Sequence, residues 1–531
     1  MTLPRPLAVL TTVAAIAASL AAAAPAAAQA EDFVARANAF YANIPQNKRS
    51  DLIILPAVAK IEEPADQVGK ARITAELEGS LDPILYPTSA PGWPVVEAWL
   101  MAEPQRNALK ALAEVTQDEG PTTHMVFAQP YGVEGVSYEL VGADLYTELG
   151  DPPMLAAAQF RYLDGLAKLW GLAHAEANRL MAAGEGPEAM EVLLDWLFFS
   201  RQIADRELAE EKIIGMAMTM LALMHLRDLA YQDFQSPTHS LTPTVLADVI
   251  RRLDDKRGPL GIERIQLPRA DRLAVEQLLY RIYDQSTRRP NDQFASTMAW
   301  VTSRDRPLRL FSEAARWELV RAQAAGWYEV QDALRNVAND FEKRWALPPR
   351  DPVLTMKTDY ERTVRGRSGF APIAHHYDTY PAFFNLRDVL RAEAAGTRMS
   401  LAMYAFYLQY NQYPRDLSAV RPAFAPVVDK DPYANGADIL FFVPIRDQPK
   451  GPRGETQPHE IRVFPGFKYP NFSVRLRDDQ FVIYSVGPDE VRGWARDATQ
   501  GNPDYREGDY LFWPPTISLL RQHLIQNKHF N

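Results

Sequence analysis

The stretch from Leu386 to Asp489 limits what this chain can fold into more than any other part of the sequence. It opens with residues at helical spacing along one face, which predict a long amphipathic helix. The residues on this face are Leu386, Leu390, Ala394, Thr397, Leu401, Ala405 and Leu408. Asn385 is the predicted N-cap, and Pro414 is expected to end the helix because the residue before a proline avoids helical backbone angles.

Short β-prone runs follow this helix and are separated by turn residues, so we expect a meander of short strands. The runs are Ile439 to Val443, Ile461 to Phe464, Phe472 to Leu476 and Phe481 to Val486. A helix followed by such a meander predicts a small α+β domain, in which the helix covers one face of a short antiparallel sheet.

The order of motifs in this stretch resembles that of a known family. The motifs are Tyr407, Tyr413-Pro414, Leu417, Asp431-Pro432-Tyr433 and Tyr484-Ser485-Val486-Gly487-Pro488-Asp489. Together they resemble the globular C-terminal domain of the major pseudopilin of type II secretion. The resemblance covers roughly a fifth of the chain, which is the size of a small domain.

In that family, the loop after the last strand often carries acidic ligands for calcium. The resemblance therefore implies a calcium site at Asp489 and Asp497. Glu490 stands where the family has glycine, and Arg492 and Arg496 lie in the same loop. Calcium takes about six to eight oxygen ligands, more than these residues supply, so a solvated turn without an ion is the favoured interpretation.

A pseudopilin assembles through a long apolar N-terminal helix that follows a Gly-Phe-Thr-Leu-x-Glu-like processing site, and this chain has no such site. The predicted helix before the strands carries charges that a membrane span would not tolerate. They are Arg387, Asp388, Arg391, Glu393 and Arg398. The resemblance thus implies a pseudopilin-like globular domain fused to a large exported helical region of unknown role. It does not imply that this chain is a subunit of a filament.

The N-terminus has the pattern of a secretory signal peptide. Arg5 provides a weak positive start, Leu7 to Leu20 is apolar, and Ala28-Gln29-Ala30 is a small-x-small cleavage site. We expect residues 1–30 to be removed, which predicts a periplasmic or secreted protein with no stable membrane span after cleavage. Retention of this segment as an anchor helix is the alternative.

The 531 residues include no cysteine and carry a formal net charge of −10. Without a thiol, the chain has neither disulfides nor a cysteine for lipid attachment, so packing alone must stabilise it. The acidic balance argues against nonspecific nucleic-acid binding, which needs a basic surface. We therefore expect an envelope protein or polymer as the partner, and no nucleic acid.

The pattern along the chain predicts a mainly α protein, with a helical array followed by one long helix on a short antiparallel sheet. The predicted regions are an irregular N-terminal region with short helices at 31–150, a helical domain at 151–346, a linker at 347–380, the pseudopilin-like α+β domain at 381–500 and a docking tail at 501–531. Asp51 to Ala59 is predicted to be a buried strand or extended segment, and the polar stretch from Asp284 to Asp305 is expected to include a loop. The apolar run from Ile213 to Met224 is too short to span a bilayer, so we expect a buried core helix. Pro449 to Pro458 is expected to be an exposed insertion.

A charged strip lies between two apolar helices of the helical domain. Its residues are Arg201, Arg206, Glu207, Glu210 and Glu211. Two carboxylates set apart across a substrate would suit a glycosidase, but ion pairs at helical spacing explain the same residues and are favoured. Glu176 and Arg179 are interpreted in the same way.

The remaining candidates for chemistry are histidines and aromatic residues. His375 and His376 are adjacent and more consistent with a loop pair than with a metal site, while His174 and His225 are expected in an apolar core. Aromatic residues could form a glycan or peptide platform, although core packing is commoner. They are Trp93, Trp99 and Trp513.

The sequence contains no serine-nucleophile elbow, phosphate loop or dinucleotide fingerprint. Catalytic residues therefore stay unknown, and no cofactor is expected besides the calcium discussed above. A binding or assembly role in the cell envelope is the predicted function. The alternative is a helical hydrolase that acts on an envelope polymer.

Overall fold

The computed structural model describes residues 32–62, 81–116, 125–254, 259–303, 309–348, 351–447, 450, 458–466, 469–476, 480–499 and 507–530. The protein is 57% helical and 8% strand, and the strands lie mostly in the C-terminal region. The predicted fold class, mainly α with a small sheet, is confirmed. The predicted signal peptide and most of the insertion predicted from Pro449 to Pro458 lie outside the described residues.

Short helices and one small strand pair form the N-terminal part. They are α1 (Phe33–Asn38), α2 (Asp51–Val58), α3 (Asp82–Leu85), α4 (Trp93–Leu100), α5 (Glu103–Glu114), α6 (Tyr138–Gly142), and the antiparallel strands β1 (Thr147–Glu148) and β2 (Gln159–Phe160). The strand or extended segment predicted from Asp51 to Ala59 is wrong, because this segment is helix α2. An apolar run of four residues does not distinguish a strand from a buried helix. The Asp51 carboxylate at the start of α2 accepts the N–H of Ala128 at 3.0 Å and fixes this end of the helix.

The core of the helical region consists of α7 (Tyr162–Ala182), α8 (Gly186–Ile203) and α9 (Ala209–Gln235). Each of these helices packs against the next. Helix α9 contains the apolar run from Ile213 to Met224. Among the described helices it alone is long and apolar enough to cross a membrane, by length and composition only, yet 78% of its most apolar window is buried inside the protein.

Further helices surround this core. They are α10 (Pro243–Arg252), α11 (Ala270–Ile282), α12 (Phe294–Ser303), α13 (Leu310–Arg321), α14 (Trp327–Trp345) and α15 (Ala371–Tyr377). Single 3-10 or π turns lie at Gln46–Lys48, Leu155–Ala157, Ile262–Arg264, Pro352–Thr355, Tyr360–Val364, Ser368–Phe370 and Leu417–Val420. The polar stretch from Asp284 to Asp305 includes the expected loop, at 284–293, and then forms helix α12. Phe294, Met298 and Val301 lie at helical spacing and are buried, so their burial stabilises α12 there.

The long helix of the C-terminal region is α16 (Tyr380–Tyr410). The predicted cap at Asn385 is wrong: α16 begins five residues earlier, at Tyr380 with Pro381 in its first turn, where proline costs no hydrogen bond. Asn411 ends the helix in the left-handed conformation (φ 51°), a geometry that asparagine tolerates better than most residues. One side of α16 packs on α9 and α10, and another packs on the sheet that follows.

The predicted β-prone runs all form strands, but not one meander. The strands are β3 (Leu440–Phe442), β4 (Glu460–Phe464), β5 (Phe472–Arg475), β6 (Val482–Ser485), β7 (Asp497–Thr499) and β8 (Tyr510–Trp513). They form two three-stranded sheets, in the orders β3-β6-β8 and β5-β4-β7. The first sheet is antiparallel, whereas β7 runs parallel to β4. We call α16 with these strands the head.

The C-terminal tail completes the head. Strand β8 pairs with β6, and both strands are buried along their whole length. The last helix, α18 (Thr516–Gln526), packs against α9. Outside the tail, the short helix α17 (Pro444–Asp447) lies between β3 and β4 along the chain. The described part of the tail, residues 507–530, therefore belongs to the core.

Candidate functional site

Two of the motifs that carry the pseudopilin resemblance meet at one buried carboxylate, that of Asp431. Its Oδ1 accepts hydrogen bonds from the hydroxyl of Ser485 at 2.7 Å and from the N–H of Tyr433 at 2.9 Å. Its Oδ2 accepts the N–H of Val486 at 3.0 Å. Residues 54 and 55 positions apart in sequence are thereby joined. A buried carboxylate is stable only with such partners, so the two motifs depend on each other.

The first motif of the series fastens the end of α16 to the same sheet. Tyr407 stacks on Tyr413 with 5.1 Å between ring centroids, and Tyr413 lies 5.5 Å from the ring of Phe481. Leu417 is buried below them. These contacts place the Tyr-Pro end of the helix beside the start of β6, which explains why aromatic residues are needed at both positions.

The loop from Asp489 to Asp497 is held by carboxylates. Asp489 accepts the N–H of Val491 at 3.0 Å and of Gly508 at 2.7 Å. Asp509, from the tail, is fully buried and accepts the N–H of Gly493 at 3.1 Å and of Ala495 at 2.6 Å. Burial raises the pKa of Asp509 to about 7, and the neighbouring Asp489 and Asp497 add to this shift. Asp509 could not be identified from sequence, since nothing in the tail marks it as a partner of this loop.

The two predicted calcium ligands, Asp489 and Asp497, lie in this loop but are engaged by other groups. Both oxygens of Asp489 accept backbone N–H groups, and Asp497 pairs with Arg462 at 2.5 Å. A hard cation would have to replace these donors. Among the described residues, no group of three or more His, Asp or Glu side chains is placed to hold a metal ion. The calcium site stays a prediction, and the residues present do not fit it well.

A second polar cluster joins the helical region to the head. Arg227 and Asp228, adjacent on α9, are both fully buried. Arg227 pairs with Glu393 of α16, which also accepts the Tyr510 hydroxyl of β8. Asp228 pairs with Arg521 of α18 at 2.5 Å. We call these residues the α9 ion pairs.

The second of the α9 ion pairs has additional partners. The Ser518 hydroxyl donates to Asp228 at 2.6 Å, and the Arg521 guanidinium also donates to the carbonyls of Ile84 and Leu85. One arginine of the tail thus contacts α3, α9 and its own helix. Buried charges need this degree of pairing, so the tail position is strongly specified.

The histidines His174 and His225 form a buried pair, as expected of core histidines. Their Nδ1 atoms are 2.7 Å apart and their rings stack at 4.9 Å. Asn178 donates from its amide nitrogen to the carbonyls of Pro83 and Ile84, so its oxygen faces His225 Nε2 at 3.0 Å. His225 must then carry its proton on Nε2 and accept from His174 Nδ1–H. Burial lowers the pKa of both histidines well below the usual value.

The charged strip predicted between two helices is largely internal. Arg206 donates to Glu211 at 2.8 Å, and both are fully buried. Tyr131 and Tyr162 donate their hydroxyls to the same Glu211 carboxylate. These residues do form an ion pair, but Arg206 and Glu211 are five positions apart and not at the predicted helical spacing. Arg206 lies in the turn between α8 and α9, and Glu211 lies in the first turn of α9. Their ion pair therefore stabilises this turn.

Glu207 of the strip and Glu176 are also engaged. Glu207 binds Arg269 of the segment before α11. Glu176 pairs with Arg106 and with Arg179, the latter at the predicted i,i+3 spacing. Tyr131 was missed by the sequence analysis, since an isolated tyrosine in a loop gives no signal of its burial against a carboxylate.

The remaining sequence candidates are not brought together. His375 and His376 lie within helix α15, where adjacent side chains diverge by about 100° and do not converge on one ion. Trp93, Trp99 and Trp513 are all buried, which agrees with the favoured interpretation as core residues and not with an exposed aromatic platform. Their indole rings serve as core, because burying so large an apolar surface is favourable.

Comparison with family models, with curated proteins and with solved structures gives no match for this chain. What the protein does must therefore be inferred from its own residues.

Proposed function

We propose that this is an exported protein of the cell envelope, which binds or assembles with an envelope component through its helical scaffold and pseudopilin-like head. The observation that carries this proposal is the contact of Asp431 with Ser485 and Val486. It joins two motifs of the resemblance at one buried point, and this contact supports the proposal that they belong to one domain.

A second observation supports binding over catalysis. The carboxylates that a hydrolase would need in the charged strip are taken up by structural partners: Glu211 by Arg206 and two tyrosines, and Glu207 by Arg269. An acid and a base for glycoside hydrolysis must instead face a substrate. The strip thus serves to fix α8 against α9.

Export is tested by expressing the full chain with a C-terminal tag in a Gram-negative host and measuring the mass of the protein in the periplasmic fraction. We expect an N-terminus at Glu31. A chain lacking residues 1–30 should stay in the cytoplasm. Full-length protein retained in the cytoplasm would contradict export.

Assembly is tested by chemical cross-linking in intact cells, followed by purification through the tag. We expect a cross-linked envelope component that is lost in Asp431→Ala, which removes the link between the motifs, and kept in Asp332→Ala. Asp332 is a matched control because its side chain is 63% exposed and pairs only with Arg335 of its own helix. Equal cross-linking of both variants would show that the head does not take part.

A further inference from the structure

One surface of the helical region combines exposed aromatic rings with arginines. Tyr280 of α11 is 44% exposed and Tyr328 of α14 is 67% exposed. The buried Trp327 connects them: its ring lies 5.2 Å from that of Tyr280. The guanidinium of Arg288 lies 5.6 Å from the Trp327 ring and 5.8 Å from the Tyr328 ring. We call these four residues the aromatic ridge.

The loop that presents Arg288 is fixed in one conformation. The Asp284 carboxylate accepts the N–H of Ser286 at 2.8 Å and of Thr287 at 2.6 Å. The Arg288 N–H bonds to the Asp284 carbonyl, and the Asp284 N–H bonds to the carbonyl of Arg289, so the loop closes on itself. Arg288 holds a left-handed backbone (φ 58°), which is costly for a side chain of this type. Its carbonyl accepts the Trp327 N–H, which fastens the loop to α14.

The arginines here lack carboxylate partners among the described residues. Arg281 and Arg289 are exposed and form no ion pair, and Arg288 donates only to the neutral Gln285. The nearby acids are engaged by other groups: Asp284 accepts the N–H groups of its own loop, Asp292 pairs with Arg321, and Glu329 caps α14 through the Gly326 N–H. In a chain of net charge −10, positive groups that have no carboxylate partner and lie close in sequence to the ridge residues are available to an anionic ligand.

We propose that the aromatic ridge, with Arg281 and Arg289, binds a polysaccharide that carries carboxylate groups. Guanidinium groups recognise carboxylates in a bidentate geometry, and exposed tyrosine rings offer apolar faces to sugar rings. The fixed loop reduces the entropy lost on binding. This inference names a partner class for the binding role proposed above and rests on it.

The test uses the purified full chain without residues 1–30 and oligogalacturonate as the probe, measured by titration calorimetry at low salt. We expect saturable binding that weakens at least about tenfold in Arg288→Ala/Arg289→Ala and in Tyr328→Ala, because charge and stacking contribute separately. Arg288→Lys/Arg289→Lys keeps the charge but loses the planar fork, so an intermediate loss is expected.

The matched control is Arg251→Ala/Lys430→Ala, which removes the same charge from cations that are 71% and 64% exposed and lie outside α11, α14 and the Arg288 loop. Tyr138→Ala removes a tyrosine that is 90% exposed. Both controls should bind as the unchanged protein does. An absence of saturable binding, or an equal loss in the controls, would overturn the inference. So would tighter binding of neutral dextran, or of a single-stranded oligonucleotide, at the same residues.

The two proposals can fail separately. If the protein is exported and cross-linked as proposed but oligogalacturonate does not bind, the envelope role stands and this ligand is wrong. If the purified protein binds the probe but remains in the cytoplasm of the cell, the export proposal fails, whereas the proposed binding at the aromatic ridge is supported.

Discussion

In the helical region, α7, α8 and α9 follow one another along the chain and pack against one another in that order. In the head, by contrast, β3 pairs with β6 across the intervening hairpin of β4 and β5, and the sheet is completed by β8 from the tail. The first region is built from local contacts and the second from distant ones. Substituting a residue that contacts a distant part of the chain is therefore expected to destabilise the head more than the helical array.

The two regions also use buried charge differently. On α9, the α9 ion pairs connect separate parts of the chain through opposite charges. In the head, Asp431 and Asp509 bind mainly backbone N–H groups of nearby turns. The α9 ion pairs hold the two regions together, whereas Asp431 and Asp509 fix the conformation of loops in the head. The predictions below test this distinction, from the largest expected effect to the smallest.

Removing the Arg521 side chain should give the largest effect. In Arg521→Met, the buried Asp228 loses its counter-charge and two neighbouring carbonyls lose a donor. We expect a loss of about 3–5 kcal/mol in the free energy of unfolding, measured by urea denaturation, because an isolated buried charge is strongly destabilising.

The control for this prediction is Arg335→Met, which breaks an exposed i,i+3 pair with Asp332 and should cost at most about 0.5 kcal/mol. The double variant Asp228→Leu/Arg521→Met should recover part of the loss, since no charge is then left buried. If Arg521→Met costs no more than Arg335→Met, the α9 ion pairs do not hold the tail in place.

These differences explain how far the sequence predicts the fold. Helical spacing was sufficient for α7, α8, α9 and α16, because a helix satisfies its own backbone and needs only one apolar face. Strand pairing in the head was not predictable from pattern alone, as each short strand can pair with several others. Of the candidate site, Asp431 and Ser485 were named in the motifs, whereas Asp509 and Arg521 act across the fold and carry no local signal.

The histidine pair predicts a dependence of stability on pH in the helical region. Burial lowers the pKa of His174 and His225 in the folded protein, so unfolding takes up protons below the usual value of about 6.5. Their contribution to stability is complete above that pH and is lost as the pH falls. One pH unit below it, we expect a loss of about 1.4 kcal/mol per histidine.

The measurement is urea unfolding between pH 5 and 8 of the natural chain and of His174→Phe/His225→Leu. The half-buried Asp195 and the buried Asp271 and Asp509 have raised pKa values and act in the opposite direction, but they are common to both proteins and cancel in the difference. The difference should be constant near pH 8 and shrink towards pH 5. A constant difference across the range would show that the pair does not titrate between the folded and unfolded states.

Gly396 lies where α16 meets the tail strand β8. A Cβ added there would lie 2.2 Å from the ring of Phe512, so Gly396→Ala forces the helix and strand apart. Alanine is favoured over glycine in a helix by about 1 kcal/mol, but overpacking costs about 1–3 kcal/mol, and we expect a net loss in unfolding free energy. Gly142→Ala, which meets no atom within 4 Å, should not destabilise the protein. Phe512→Leu in the Gly396→Ala background should relieve the clash. If the losses of the two single variants simply add in the double variant, the clash is not the cause of the destabilisation.

Calcium should have the smallest effect and would act on the head alone. Because both oxygens of Asp489 already accept N–H groups and Asp497 pairs with Arg462, we expect millimolar calcium to change the melting temperature by less than about 1 °C. Asp489→Ala should lower the melting temperature with or without calcium, since it removes two hydrogen bonds to the loop. The opposite result, a rise of several degrees with calcium that a chelator reverses and that Asp489→Ala/Asp497→Ala abolishes, would establish the ion in the head. The loop from Asp489 to Asp497 would then owe its shape to a metal ion as well as to the tail residue Asp509.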